Sequence, residues 1–153
     1  MKRSERIGAL ANLEQHESDA AARTLADTQR VLRERESVLT DLRRYRDEYL
    51  SSSRMRGTGV SIVAFQDYQR FVGRLDEAIA HQSRLVAEAQ LQYDARRNEW
   101  MTVRSRAASL EKAVERCLKV EQRHDALIEQ RRLDEAASRM PRNALRIGSD
   151  PAR

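Results

Sequence analysis

The chain has 153 residues, of which 35% are charged, 40% hydrophobic and 5% aromatic, and its mean hydropathy is −0.78. A compact globule of this length needs a thick apolar core, whereas this composition supplies only a narrow apolar stripe of the kind found in coiled coils. The net charge of +5 arises from mixed signs, as in the alternating residues 33–36. This mixture is typical of a solvated helix surface and argues against the basic face of a nucleic-acid binder.

A first helix is predicted over about residues 4–50, which contain no proline and a single glycine. A ladder of alternating three- and four-residue steps is apolar at eight of its thirteen positions, which predicts an amphipathic helix. Val31, Val38 and Tyr45 lie beside this ladder and widen its stripe. The ladder consists of Ile7, Ala11, Glu14, Ser18, Ala21, Leu25, Thr28, Leu32, Arg35, Leu39, Leu42, Arg46 and Tyr49.

Small and flexible residues over 51–60 predict a loop, and a second helix is predicted over about residues 61–139, with Ser61 as its N-cap. Its ladder is apolar at fourteen of sixteen positions. The mean step of about 3.5 residues predicts a seam that faces one partner helix. The ladder consists of Phe65, Tyr68, Val72, Leu75, Ile79, Gln82, Val86, Ala89, Tyr93, Arg96, Trp100, Val103, Ala107, Leu110, Val114 and Cys117.

Two long helices joined by a short loop favour an antiparallel hairpin. We therefore predict an all-α fold: a single coiled-coil domain over residues 1–139, in which the second helix is the longer. Met140 and Pro141 should end that helix, and residues 140–153 are predicted to form a disordered basic tail.

The unequal helix lengths predict an apolar overhang. If the helices pair outward from the loop, residues near 61–107 cover the first helix. The residues predicted to project past its end are Leu110, Val114, Cys117 and Leu118. An uncovered apolar stripe marks a contact surface, and a partner protein and a second copy of the chain are equally good occupants.

No pattern of catalytic or metal-binding residues accompanies these helices. His16, His81 and His124 are far apart in sequence, no pair of histidine and cysteine has zinc spacing, and Cys117 has no neighbouring base to activate it. The glycines of residues 57–59 lack the downstream Gly-Lys-Ser/Thr of a nucleotide loop. We predict no enzymatic activity, no cofactor, no metal, no membrane span and no signal peptide.

A row with spacing i, i+4, i+7 and i+11 follows one side of the second helix and consists of Phe71, Leu75, Ala78 and Gln82. It is either a widened core stripe or a half-exposed docking ridge for another protein, and physical reasoning alone favours the core stripe. Gln82 also interrupts the apolar ladder, where a buried polar residue fixes the register of a coiled coil.

The layout of two unequal helices with a loop near one third of the chain resembles the FliJ family of flagellar export proteins. The most similar stretch is residues 65–82, in which an aromatic-rich opening precedes a Leu…Ala-Ile…Gln pattern. The first helix, rich in Glu, Ala and Arg, is similar too. The resemblance covers nearly the whole chain.

This resemblance implies a non-enzymatic coiled-coil stalk that links the ring of the export ATPase FliI to the export gate FlhA and assists export chaperones. It implies a cytoplasmic protein, peripherally associated with the inner membrane at the flagellar base through the gate. A stalk of a non-flagellar type III secretion system and an unrelated structural or holdase coiled coil are the alternatives.

The resemblance also implies which residues bind the partners. The family's gate contact corresponds to Phe71, Leu75 and Ala78, and Gln82 stands where the family has a histidine. At the end of the hairpin that carries both termini, the residues implied in contact with the ATPase ring are Leu110, Val114 and Leu118.

Overall fold

The computed structural model describes residues 1–55, 59 and 61–141. Two helices make up this part of the chain, α1 (Arg3–Met55, 53 residues) and α2 (Ile62–Arg139, 78 residues), and it contains no strand. The prediction of an all-α fold with a longer second helix is confirmed. Most of the predicted tail, residues 142–153, lies outside the described residues, as do residues 56–58 and 60 of the predicted loop.

The first helix ends five residues later than the sequence predicted, so the prediction that the loop begins at residue 51 is wrong. Serine disfavours a helix only slightly, and no glycine or proline occurs between Gly8 and Gly57. Ser53 Oγ donates to the carbonyl oxygen of Leu50 at 2.9 Å and lies 3.0 Å from the Tyr68 hydroxyl. This contact with α2 holds the last turn of α1.

The second helix begins as predicted with Ser61 as its N-cap. The Ala64 N–H donates to Ser61 Oγ at 3.2 Å and the Phe65 N–H donates to the Ser61 carbonyl oxygen at 3.1 Å. The first bond satisfies one of the N–H groups that have no partner within a helix, and the second is the first backbone bond of α2.

Contacts divide the chain into two compact units, one of Leu13–Ala107 and one of Met1–Asn12 with Ala108–Arg153. The organisation of residues 1–139 as one domain therefore stays a prediction. In the Leu13–Ala107 unit the helices run antiparallel, because contacts move to lower numbers in α1 as they move to higher numbers in α2. The contacting pairs are Tyr49 with Tyr68, Arg46 with Asp76 and Arg35 with Gln82.

The two predicted ladders form the seam of the helices. In α1 every ladder position except Arg35 is buried or half-buried, and in α2 every position except Phe65 is. The seam is thin, since no described side chain is completely buried.

In the unit of Met1–Asn12 with Ala108–Arg153, the beginning of α1 lies along α2. Ser4 donates to the Glu121 carboxylate from its N–H at 3.1 Å and from its Oγ at 2.6 Å, and Lys2 Nζ lies 3.1 Å from the Asp125 carboxylate. Pairing therefore reaches past residue 120 of α2. Leu118 is nevertheless 42% exposed.

The prediction of an overhang at residues 110–118 is therefore wrong. Leu110, Val114 and Cys117 do not project past α1 and are half-buried. The prediction paired residue 50 with about residue 61, whereas Tyr49 stacks on Tyr68. This register places the start of α1 further along α2 than expected.

Candidate protein-binding site

Four aromatic side chains meet where the last turns of α1 lie against the first turns of α2. Tyr49 is the centre of the cluster: its ring centroid lies 5.4 Å from that of Tyr68 and 4.5 Å from that of Phe71. Tyr45 contacts Phe71 edge-on at 6.2 Å and 82°. Aromatic pairs at such distances contribute about 0.5–1.5 kcal/mol each beyond the area they bury. The cluster therefore fixes the Phe71 ring at the edge of the seam.

The predicted docking row does not form one exposed ridge. Phe71 and Ala78 are half-buried at the seam edge, whereas Leu75 is 8% and Gln82 7% exposed. Gln82 Nε2 donates to the carbonyl oxygen of Arg35 at 3.0 Å. Side chains covered by α1 in this way are not open to a partner. Binding of the row to the gate stays a prediction, in which only Phe71 and Ala78 offer accessible surface.

The residues predicted for the ATPase contact differ among themselves in exposure. Leu110 and Val114 are half-buried, and Leu118 is 42% exposed. Their part in binding stays a prediction.

Two charged groups in the unit of Met1–Asn12 with Ala108–Arg153 have shifted pKa values. The pKa of Glu121 is lowered, chiefly because the Ser4 Oγ and N–H donate to its carboxylate. The pKa of Lys2 is raised by its hydrogen bond to Asp125 and by that residue's negative charge. Both shifts favour the charged forms that hold the start of α1 against α2.

Sequence reasoning missed an apolar surface nearer the end of α2. Every described residue after Glu121 is exposed, and among them Leu127, Ile128 and Leu133 are 55%, 39% and 62% exposed. Ile128 continues the seam ladder in sequence, and this was the signal that could have located the surface.

The described residues offer no group of three or more His, Cys, Asp or Glu side chains placed to hold a metal ion. Nor does any helix among them have the length and apolarity that crossing a bilayer demands.

A family model described as "Flagellar FliJ protein" matches residues 3–146. No curated protein and no solved structure matches the chain. The matched range contains both helices, the aromatic cluster and the whole docking row.

Proposed function

The chain belongs to the FliJ family of flagellar export proteins, and from this premise we propose that it links the ring of the export ATPase to the export gate. The family is a non-enzymatic component of flagellar type III protein export. The partners proposed for this chain are a FliI-type ATPase, an FlhA-type gate protein and export chaperones. Its proposed place is the cytoplasmic side of the inner membrane, reached through the gate.

The observation that carries the proposal is the family match over residues 3–146, which takes in both helices of an antiparallel pair. Such a pair offers elongated helical surfaces to its partners. This suits a protein that links others better than a protein that must enclose a substrate in a pocket. Accessible apolar residues occur both near the loop and near the end of α2, so a separate surface is available for each partner.

For the gate we propose direct contact by Phe71 and Ala78, with Leu75 and Gln82 in supporting positions. Leu75 and Gln82 are buried in the seam, where they hold the edge that Phe71 and Ala78 present. Leu118 is the exposed member of the proposed ATPase contact. Its other two members, Leu110 and Val114, are half-buried.

The first test measures gate binding by titration calorimetry with the full-length chain. Phe71→Ala should raise the Kd about tenfold, equivalent to about 1.4 kcal/mol, while helicity by circular dichroism stays unchanged. Leu75→Ala should weaken binding and also lower the free energy of unfolding by about 2 kcal/mol, because Leu75 belongs to the seam. Phe65→Ala is the matched control, since Phe65 is 52% exposed and lies outside the aromatic cluster.

An unchanged Kd for Phe71→Ala would remove the gate contact from the proposal. The ATPase link has its own test, in which the chain is mixed with the FliI-type ATPase and both ATP hydrolysis and ring formation are measured. We expect both to increase, and no change in either would contradict the link.

A further inference from the structure

Beside the seam, α1 carries a second row of apolar residues within the Leu13–Ala107 unit. Val31, Val38 and Tyr45 follow one another at intervals of seven residues, and they are 39%, 47% and 50% exposed. Residues seven apart lie on nearly the same side of a helix. The row is thus a set of apolar side chains along one edge of α1, of which α2 covers only part.

The second helix has a matching row. Phe71, Ala78 and Leu85 are also seven residues apart and all are half-buried. Tyr45 contacts Phe71 at 6.2 Å. Because the helices are antiparallel, moving seven residues back from Tyr45 in α1 corresponds to moving seven residues forward from Phe71 in α2. Val38 is thereby placed beside Ala78. We call the six residues of the two rows the ledge.

A groove at the far end of the ledge shows independently that both rows lie on the same side of the hairpin. It is lined by Thr24 and Val31 of α1 together with Ala89 and Gln92 of α2. Thr24 and Gln92 are the next heptad positions of the two rows, and both are polar and exposed. The apolar part therefore spans the rise from Val31 to Tyr45, about 21 Å or four helical turns.

The two flanks of the ledge differ in charge. Thr24 and the three apolar residues of the α1 row are each followed, three residues later, by an exposed acidic side chain. These acidic residues are Asp27, Glu34, Asp41 and Glu48. Asp27 lies 3.6 Å from Arg30, and Asp41 lies 2.5 Å from Arg44, so the flank remains acidic after both arginines are counted. The α2 flank is mixed and consists of Asp67, Arg74, His81 and Glu88.

We propose that the ledge, including its α1 half, is the gate-binding surface, and that it seats an amphipathic helix of the gate protein whose apolar stripe has a basic edge. This inference rests on the proposed function and extends its contact from α2 to both helices. A shallow groove between two helices accepts a third by side-chain interdigitation. The acidic flank selects a basic edge in the partner and disfavours an anionic lipid surface.

The test uses the full-length chain and the gate protein, with affinity measured by titration calorimetry. Val38→Asp places a charge in the middle of the α1 row and should raise the Kd at least tenfold. Leu91→Asp is the matched control, because Leu91 is 70% exposed and does not belong to the ledge; its Kd should stay within twofold of wild type.

A second variant tests the charge of the flank. Glu34→Lys alters an exposed side chain and no packing, so it keeps the inference testable if Val38→Asp fails to fold. It should raise the Kd about threefold at low salt and by less at high salt, because ions screen exposed charges.

The outcomes separate the inference from the proposed function. If wild type does not bind the gate protein, both fail. If Phe71→Ala weakens binding while Val38→Asp and Glu34→Lys bind like wild type, the gate contact stands and the ledge inference is overturned. If sedimentation shows that Val38→Asp converts a dimer to a monomer with gate affinity unchanged, the ledge belongs to a second copy and the inference is again overturned.

Discussion

Ser4, the second residue of α1, has two donors that both bind Glu121 of α2. The first N–H groups of a helix have no partner within it, and negative charge is favourable at this end of the helix dipole. Here a carboxylate from the second helix satisfies the Ser4 N–H, at 3.1 Å, and also accepts from the Ser4 hydroxyl. The same pair of groups thus completes the start of one helix and joins it to the other.

This bond should be visible in the titration of Glu121. Ser4→Ala removes the hydroxyl donor, which is the largest cause of the lowered pKa, so the pKa of Glu121 should rise toward its ordinary value. Carboxyl NMR over a pH series measures the change. Ser18→Ala, at another buried serine of α1, is the control and should leave the Glu121 pKa unchanged.

The sign of the pH dependence follows from the same shift. Because the folded-state pKa of Glu121 is below its unfolded value, its contribution to stability is present above the ordinary glutamate pKa of about 4.3. It is lost as the pH falls through the lowered pKa. Lowering the pH through this range should therefore decrease the amide-exchange protection factors in the first turns of α1, each calculated against the intrinsic exchange rate at the same pH. An identical Glu121 pKa in wild type and Ser4→Ala would contradict this account.

For Gln82, the sequence predicted the burial of the side chain but not its hydrogen-bond partner. Its interruption of an apolar ladder predicted a buried polar residue with a role in register, and it is buried with a bond to the Arg35 carbonyl oxygen. The identity of that acceptor could not be predicted. It depends on which turn of α1 lies opposite, and the pairing of the helices decides this.

At the scale of the helices, the ladders were predictable and one boundary was not. A narrow seam buries only residues that recur at heptad spacing, so periodicity alone located the buried positions of both helices. The end of α1 was missed because the run of serines before Arg54 contains no helix breaker. The contact of Ser53 with Tyr68 that accompanies the last turn is tertiary and has no local signal.

Gly73 lies in the interior of α2 and lowers the stability of this helix. A Cβ built on it meets no heavy atom within 4 Å, and glycine within a helix costs about 0.5–1 kcal/mol relative to alanine. Gly73→Ala should therefore raise the free energy of unfolding by about that amount, measured by urea denaturation. Gly59→Ala should do the reverse, because Gly59 has φ +134°. A loss of gate affinity in Gly73→Ala would instead show that a partner approaches the helix closely at this residue.

For the molecule as a whole, the sequence predicted that α2 extends beyond its pairing with α1. The predicted end of that pairing, near residue 107, was too early in α2. In sequence the ladder continues after Cys117 with one apolar residue in four positions, Glu121, His124, Ile128 and Arg131. This was a signal in the right direction, since every described residue after Glu121 is exposed. The exact register was not predictable because it is set by pairs such as Tyr49 with Tyr68. Each helix taken alone is compatible with several alignments one heptad apart.

Two leucines of α2, one before and one after the end of the pairing near Glu121, give the sharpest test of that pairing. Leu110 is half-buried in the unit that contains the start of α1, whereas Leu127 is 55% exposed. Leu110→Ala should lower the free energy of unfolding by about 1–2 kcal/mol, less than a fully buried leucine because part of its surface is already in water. Leu127→Ala should change it by no more than about 0.5 kcal/mol.

Urea denaturation followed by circular dichroism measures both variants, and because the substitution is the same in each, the helix propensities of leucine and alanine cancel in the comparison. Equal losses would mean that α1 does not cover α2 at Leu110, and the overhang would then begin near residue 110 as the sequence first indicated. A larger loss at Leu110 assigns that residue to the seam. It also leaves the leucines beyond Glu121 as the apolar surface that α1 does not cover.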